Sequence, residues 1–169
     1  MADAISERAV RSRLFLMHQR DPVRTFSQIG RLLRPGGWVV AQEALRRPPP
    51  QSYPHVDALG AYWDLLYRVL ERAGRVPHDA VDGLAGSARA AGLEVVEVDG
   101  SFGITDPESG FDLHASTLLA GRDRAVASGV AAEQESDDLV GELRAAKGGG
   151  YEWVSTPFFL DLTLRKPVA

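Results

Sequence analysis

Two residues that follow predicted strands, His18 and Glu43, are the ones best suited to chemistry. A histidine titrates near neutral pH, so His18 could orient a substrate hydroxyl or accept its proton. The alternative for His18 is that it closes the turn between a strand and a helix with a backbone hydrogen bond. Glu43 comes just after a buried strand, at the edge where open α/β sheets bind ligands. The alternative for Glu43 is a solvated carboxylate.

The composition gives little support to other chemistries. The 169 residues include no cysteine, which excludes disulfide bonds, thiolate nucleophiles and zinc held by cysteine. The four histidines lie far apart without metal-ligand spacing, and the chain has neither a serine elbow nor a phosphate loop. We therefore predict no bound metal and no hydrolase.

Charge is unevenly distributed along the chain. The net charge is −4, yet residues 1–50 contain nine arginines against four acidic residues. These arginines are spread over a predicted strand, a loop and a helix without interleaved aromatic residues, so we expect a solvated face and no nucleic-acid partner. The absence of cysteine, of an apolar leader and of any apolar run long enough to span a bilayer predicts a cytoplasmic protein without a membrane partner.

The elements that must position these residues begin with a strand, a helix and a second strand. Residues 9–17 start with alternating polarity and end in an apolar run, which predicts a strand. Asp21 and Pro22 are typical of a helix N-cap and first turn, and the turn at 35–37 should end that helix. A buried strand is predicted over 38–41. A crossover of this length between two apolar strands favours parallel pairing.

The rest of the chain is predicted to be mostly helical. Residues 46–58 are rich in proline and should form an extended surface segment. No linker separates two domains, so we predict one α/β domain over residues 1–169. Its further elements, in order, are a helix ending near Gly74, a helix capped by Asp79 and closed by Gly92, a strand over 93–98, a loop over 99–110, helices over 111–128 and 131–146, and one long terminal strand over 151–167.

Residues 13–43, RLFLMHQRDPVRTFSQIGRLLRPGGWVVAQE, carry a resemblance to a known family. A strand running into a Leu-Met-His loop, an Asp-Pro-capped helix, an Arg-Pro-Gly-Gly turn and a second strand resembles the central signature of Rossmann-like S-adenosylmethionine-dependent small-molecule methyltransferases. The resemblance implies a partial methyltransferase sheet, containing the family's strands four to seven with the last strand antiparallel between the fifth and sixth. It also implies helical lid insertions at about 46–78 and 103–150, S-adenosylmethionine as cofactor, and methyl transfer to a small organic acceptor.

The resemblance assigns roles to the end of the first strand and to the loop after it. In the family this region lines one side of the cofactor, so Arg13, Leu14 and His18 are predicted to bind S-adenosylmethionine, and His18 is the predicted catalytic residue. A surface ion pair with Asp21 or Glu43 is the alternative for Arg13. Methyl transfer depends chiefly on aligning nucleophile, methyl group and sulfur, so a base is not required.

The acceptor side is assigned in the same way. The segment containing Tyr53, Tyr62 and Trp63 commonly forms the acceptor lid in the family, and His114 lies near the start of a second lid-like helix. We predict that Glu43, Tyr62, Trp63 and His114 bind the acceptor. Aromatic residues at helical spacing often belong to a core instead, which is the alternative for the lid residues.

The sequence departs from the family at its beginning. The family's early half has a glycine-rich loop between a strand and a helix, but only eight residues precede Ala9. Gly148–Gly150 follows a helix and precedes a strand, which is the reverse of the required order. The resemblance therefore implies an incomplete or split copy with an exposed first strand, for which self-association or a complementary subunit is expected. The alternative function is a non-catalytic methyltransferase-like module that binds a partner subunit through that edge.

Overall fold

A computed structural model describes residues 7–74, 81 and 83–168, so the predicted cap Asp79 lies outside the described residues. The chain divides into two compact units: the first comprises Met1–Leu45, Gly74–Ser101 and Phe159–Ala169, and the second Arg46–Ala73 and Phe102–Phe158. The strands are β1 (Glu7–Arg13), β2 (Leu33–Ala44), β3 (Ser52–Tyr53), β4 (Glu94–Ser101), β5 (Ile104–Thr105), β6 (Trp153–Ser155) and β7 (Phe159–Arg165). The α-helices are α1 (Pro22–Leu32), α2 (Asp57–Arg72), α3 (Leu84–Ala90), α4 (Pro107–Ala127) and α5 (Glu133–Ala146).

The first unit contains a four-stranded mixed sheet in the order β1-β2-β7-β4. β1 and β2 pair in parallel, which confirms the crossover predicted from the sequence. β7 runs antiparallel to both β2 and β4, so the last strand lies where the resemblance placed it. The predicted α/β fold with a partial methyltransferase sheet is confirmed.

Helix α1 is held at both ends by side chains. The Asp21 carboxylate accepts a hydrogen bond from the Arg24 backbone N–H at 2.9 Å, and Pro22 occupies the first turn, which confirms the predicted start of the helix. At the other end, Lys166 Nζ donates to the carbonyl oxygens of Gly30 and Leu33 at 2.8 and 2.7 Å. These carbonyls have no partner within the helix, so the ammonium group satisfies them and complements the helix dipole.

The predicted first strand is too long. β1 ends at Arg13, and the apolar residues after it form a turn of 3-10 helix at Leu16–His18. Leu14 has a φ of 51°, a left-handed conformation that cannot continue a strand. The apolar run was a correct sign of burial for Leu16 and Met17, but a backbone turn provides that burial.

The predicted long terminal strand is divided into β6 in the second unit and β7 in the first. Pro157 has no N–H to donate to a strand ladder. Beside Pro157, Thr156 and Gly103 form two hydrogen bonds with each other. The Thr156 backbone N–H donates to the Gly103 carbonyl at 2.9 Å, and the Gly103 N–H donates to Thr156 Oγ1 at 2.8 Å. The pairing therefore changes at residues 156–158, and the two halves join different sheets.

The second unit packs α2, α4 and α5 with a small antiparallel sheet in the order β3-β6-β5. The predicted loop over 99–110 is wrong at its end, because α4 begins at Pro107 with the Asp106 carboxylate accepting from the Ser109 N–H at 2.8 Å. Arg122 links α4 to α5, since its Nε and Nη2 contact both oxygens of Asp137 on α5 at 2.6 and 2.8 Å.

Two glycines of α4 provide a matched test of how this helix packs. A Cβ at Gly110 would lie 2.7 Å from Val154 Cβ and 3.1 Å from Thr105 Cγ2, whereas a Cβ at Gly121 meets nothing within 4 Å. We expect Gly110→Ala to destabilise the protein by about 1–3 kcal/mol through overpacking. Gly121→Ala should stabilise it by about 0.5–1 kcal/mol through helix propensity. Urea unfolding of both variants measures the difference, and an equal effect of the two would contradict the packing of α4 on β5 and β6.

Candidate functional site

The buried carboxylate of Glu43 organises the loop at the carboxyl end of β1. Its Oε1 accepts hydrogen bonds from the backbone N–H groups of Phe15 and Leu16 at 3.1 and 2.9 Å, and its Oε2 accepts from Met17 N–H at 3.1 Å. The Ser12 hydroxyl donates to Oε1 at 3.5 Å. Glu43 is fully buried, so the solvated alternative is wrong. A buried carboxylate needs such donors, and here three consecutive amides supply them.

The parallel pairing of β1 and β2 brings these groups together. Arg13 lies opposite Gln42 in the register, and the Leu14 N–H donates to the Gln42 carbonyl at 2.9 Å. The next residue of β2 is Glu43, whose side chain therefore reaches the first turn of chain after β1. Leu14 in its left-handed conformation directs the following amides toward the carboxylate. Three charge-assisted bonds offset the strain of one such residue, which costs about 1–3 kcal/mol.

This loop separates its apolar side chains into two sets. Leu16 and Met17 are buried, whereas Leu14 and Phe15 are 39% and 47% exposed. His18 is half-buried at the end of the 3-10 turn. Its backbone N–H donates to the Phe15 carbonyl at 3.1 Å. The loop thus presents two apolar side chains and one imidazole at the carboxyl end of a parallel strand, where open α/β sheets bind ligands.

Arg13 lies beside this loop on the surface of the sheet. Its guanidinium carbon is 5.9 Å from the centroid of the Phe159 ring, a cation–π arrangement. No ion pair joins Arg13 to Asp21 or Glu43 among the described residues. Its predicted contact with a cofactor stays a prediction.

The predicted acceptor residues of the helices form a second, separate group in the interior of the second unit. The Tyr62 ring lies 5.7 Å from the Trp63 ring and 5.1 Å from the His114 ring, measured between centroids. All three residues are buried, and the Trp63 Nε1–H donates to the Arg46 carbonyl at 2.9 Å. Burial gives these rings a packing role, and their contact with an acceptor stays a prediction.

His114 is the polar centre of this ring cluster. Its Nε2 lies 3.0 Å from the Ser155 carbonyl, which assigns the ring proton to Nε2 because a carbonyl only accepts. Its buried Nδ1 has no hydrogen-bond partner within the described part of the chain. Burial lowers the pKa of His114, against the opposing effect of the Ser155 carbonyl, and burial raises the pKa of Tyr62. Both side chains are therefore neutral at physiological pH.

The structure brings the predicted site residues together as two groups: Glu43 with the loop that carries Leu14 and His18, and Tyr62 and Trp63 with His114. The sequence indicated the strand-end position of Glu43 but not its amide partners, Phe15, Leu16 and Met17, because capture of those amides requires the left-handed residue before them. In the described residues, no set of three histidine or acidic side chains is arranged to hold a metal ion. No described helix has the length and apolarity needed to cross a membrane.

Comparison of the coordinates with solved structures identifies the fold. The [4+2]-cyclase SpnF aligns with 98% of this chain at a TM-score of 0.50 and 19% identity, and the aligned region is 52% of SpnF. The solved structures that match share the class I S-adenosylmethionine-dependent methyltransferase fold. This chain has the methyltransferase fold.

Further matches to this methyltransferase fold have lower TM-scores. The cyclopropane synthase MmaA2 of Mycobacterium tuberculosis aligns with 96% of the chain at a TM-score of 0.47 and 16% identity, over 56% of its own length. A phosphoethanolamine N-methyltransferase of Haemonchus contortus, solved with S-adenosylhomocysteine, aligns with 98% at a TM-score of 0.43 and 17% identity, over 34% of its length. The chain thus spans about half the length of SpnF and MmaA2.

Sequence comparison adds no relative to these structures, because no family model and no curated protein matches the sequence. Several of the methyltransferases that match in structure were solved with S-adenosylmethionine or S-adenosylhomocysteine bound.

Replacing the Glu43 carboxylate tests its role in the loop. In Glu43→Gln the amide nitrogen would replace one acceptor oxygen and face a backbone N–H, so we expect a loss of about 2–3 kcal/mol in the free energy of unfolding. The amides of residues 15–17 should also exchange their hydrogens faster. Urea unfolding and hydrogen-exchange NMR measure both effects. Glu142→Gln, at an exposed carboxylate of α5, is the control and should change the stability by less than about 0.5 kcal/mol.

The neutral, buried imidazole of His114 predicts a pH dependence of stability. Its pKa is lowered in the folded protein, so below the unfolded value of about 6.5 the unfolded chain binds the proton more readily. The contribution of His114 is complete above that pH and decreases as the pH falls below it. We expect urea unfolding between about pH 5 and pH 8 to show this decrease. His114→Gln, which keeps a donor for the Ser155 carbonyl, should remove it. His55→Gln, at an exposed histidine, should retain this decrease in stability at low pH. If the free energy of unfolding of His114→Gln depends on pH as it does in the unmodified protein, the decrease does not come from His114.

Proposed function

We propose that this chain provides the acceptor-side part of an S-adenosylmethionine-dependent methyl transfer to a small organic molecule, as an incomplete or split copy of the enzyme. The observation that supports this function best is the loop held by Glu43 at the carboxyl end of β1, within a sheet ordered β1-β2-β7-β4. Methyl transfer needs a rigid, preorganised surface beside the cofactor more than it needs reactive side chains.

The residues of this loop fit one side of the cofactor. Leu14 and Phe15 expose apolar side chains, which suit the flat face of an adenine ring, and they are held by a buried carboxylate rather than by a mobile turn. A glycine-rich loop between a strand and a helix is not found among the described residues, so donors for the methionine part have to come from elsewhere. When bound, the cofactor supplies a methyl group on a positively charged sulfur.

The chain's own residues would divide the remaining tasks. His18, at the end of the 3-10 turn, orients an acceptor hydroxyl or receives its proton, and Arg13 adds positive charge beside the loop. Glu43 acts as a positioning residue on the acceptor side, through the backbone it holds. Tyr62, Trp63 and His114 form the ring cluster of the second unit, and contact of that cluster with an acceptor is part of this proposal.

Cofactor binding tests this proposal. We expect S-adenosylhomocysteine to bind in isothermal titration calorimetry to the chain together with any copurifying partner, and more weakly to the isolated chain. Phe15→Ser should weaken binding by about tenfold, because about half of this side chain is available for contact. Phe102→Ser, at a phenylalanine 51% exposed in the second unit, is the matched control and should leave binding unchanged. Absence of binding in both preparations would refute the proposal.

A second candidate function is a non-catalytic module that binds a partner subunit through the edge of β1. The observation that favours it is the position of β1 at the end of the strand order, with β2 as its neighbour in the described sheet. An edge strand offers a row of backbone N–H and C=O groups for pairing. A stable, monodisperse monomer in light scattering would count against this candidate. Calorimetry distinguishes it from the enzyme, because the non-catalytic module is not expected to bind S-adenosylhomocysteine.

A further inference from the structure

The sheet of the first unit has one covered face and one open face. α1 and α3 contact each other and the sheet, and the alternate residues Val39 and Ala41 of β2 are buried. The residues of β2 that alternate with them are accessible to solvent: Trp38 is 38% exposed and Val40 is 48% exposed. Strand alternation and the register place the following side chains with Trp38 and Val40 on what we call the open face: Arg11, Arg13, Gln42, Glu94, Glu97, Asp99, Phe159, Asp161, Thr163 and Arg165.

Side-chain contacts across neighbouring strands support this assignment. The guanidinium of Arg165 on β7 lies 5.4 Å from the Trp38 ring, and Gln42 Nε2 on β2 donates to Asp161 Oδ1 on β7 at 2.8 Å. The Ser101 hydroxyl on β4 donates to the other oxygen of Asp161. These contacts link β2, β7 and β4 on one side of the sheet.

Charge on the open face changes sign from one edge to the other. β1 contributes the exposed arginines Arg11 and Arg13, and β4 contributes the exposed acidic residues Glu94, Glu97 and Asp99. The exposed apolar residues of β2 lie between these two rows. β7, which lies between β2 and the acidic row, adds Asp161, Thr163 and Arg165. A surface with a basic row, an apolar centre formed by Trp38 and Val40 of β2, and an acidic row is complementary to an amphipathic structure that carries the opposite charges on its two flanks.

The dimensions of the open face suit a single helix. Neighbouring strands lie about 4.8 Å apart, so β1 and β4, three strand spacings apart, are separated by roughly 14 Å. An α-helix with its side chains is about 10–12 Å across. A helix lying over β2 and β7 would therefore cover the apolar centre and bring its flanks to the two charged rows. All-parallel sheets are covered by helices on both faces, and next to the parallel pair β1–β2 the described residues supply helices for one face.

We propose that the open face binds an amphipathic helix from outside residues 7–168, with an apolar stripe over Trp38 and Val40, an acidic flank along β1 and a basic flank along β4. This surface is distinct from the edge of β1, because it binds through side chains and not through backbone pairing. It requires neither His18 nor the loop held by Glu43, and it shares only Arg13 with the proposed cofactor site.

Three synthetic helical peptides test the proposal on the full chain. Each is about five turns long, stapled to fix the helix, and has the same leucine stripe. The first carries glutamate on one flank and lysine on the other, the second lysine on both flanks, and the third glutamate on both. The side-chain N–H signal of Trp38 in NMR titrations reports binding, and Trp63 and Trp153 of the second unit serve as internal references.

The first peptide should bind about tenfold more tightly than either of the others. Val40→Lys should weaken it by about tenfold, whereas Val23→Lys, at an exposed valine of α1, should change it by less than about twofold. Arg11→Glu cancels the net charge of the basic row, because Arg13 remains, and should reduce the preference for the first peptide over the lysine peptide. Arg31→Glu on α1 is its control.

Two results would overturn the proposal. One is equal binding of the three peptides, or binding of the first that Val40→Lys leaves unchanged. The other is a dimer of the chain, seen in light scattering, that Val40→Lys converts to a monomer, because the open face would then be occupied by a second copy.

Discussion

The first unit depends on a single buried charge. The Glu43 carboxylate accepts hydrogen bonds from the backbone amides of Phe15, Leu16 and Met17. Without this carboxylate the three amides would lose their acceptor, and nothing would offset the strain at the left-handed residue before them. The same interaction decides where β1 ends, which side chains of the next turn enter the core, and where His18 stands. A carboxylate at a strand end, where a ligand contact is the ordinary expectation, here acts on the protein's own backbone.

The two units differ in how they use polar groups. The first places its buried polar residues, Ser12 and Glu43, at the strand ends, where Glu43 shapes a surface loop. The second encloses His114 and Tyr62 in an aromatic cluster, in which burial keeps both side chains neutral. The candidate chemistry of the first unit therefore lies at its surface, whereas the predicted lid residues contribute to the stability of the second.

Local signals in the sequence predicted much of the fold. Asp21 with Pro22 fixed the start of α1, and the crossover to 38–41 predicted a parallel pair. The antiparallel position of the last strand followed from the resemblance. Interactions between distant residues were not predictable in this way: the early end of β1 depends on a glutamate 27 residues away from Leu16, and the division of the terminal strand depends on pairing with Gly103. Asp106 and Pro107 repeat the Asp-Pro pair of residues 21 and 22, which is a local signal for a helix N-cap, so the loop predicted there is wrong at a position where the sequence itself indicates a helix.

The position of β7 in the sheet has a kinetic consequence. This strand lies between β2 and β4, so the sheet stays divided until residues 159–165 are synthesised and inserted. β7 and the residue after it form hydrogen bonds to residues far away in the sequence. Gln42 and Asp161 are 119 residues apart, and Gly30 and Lys166 are 136 residues apart. High contact order slows folding, and until insertion both inner strand edges are open to aggregation. The sheet of the first unit is therefore completed only when β7 inserts and pairs both of these edges.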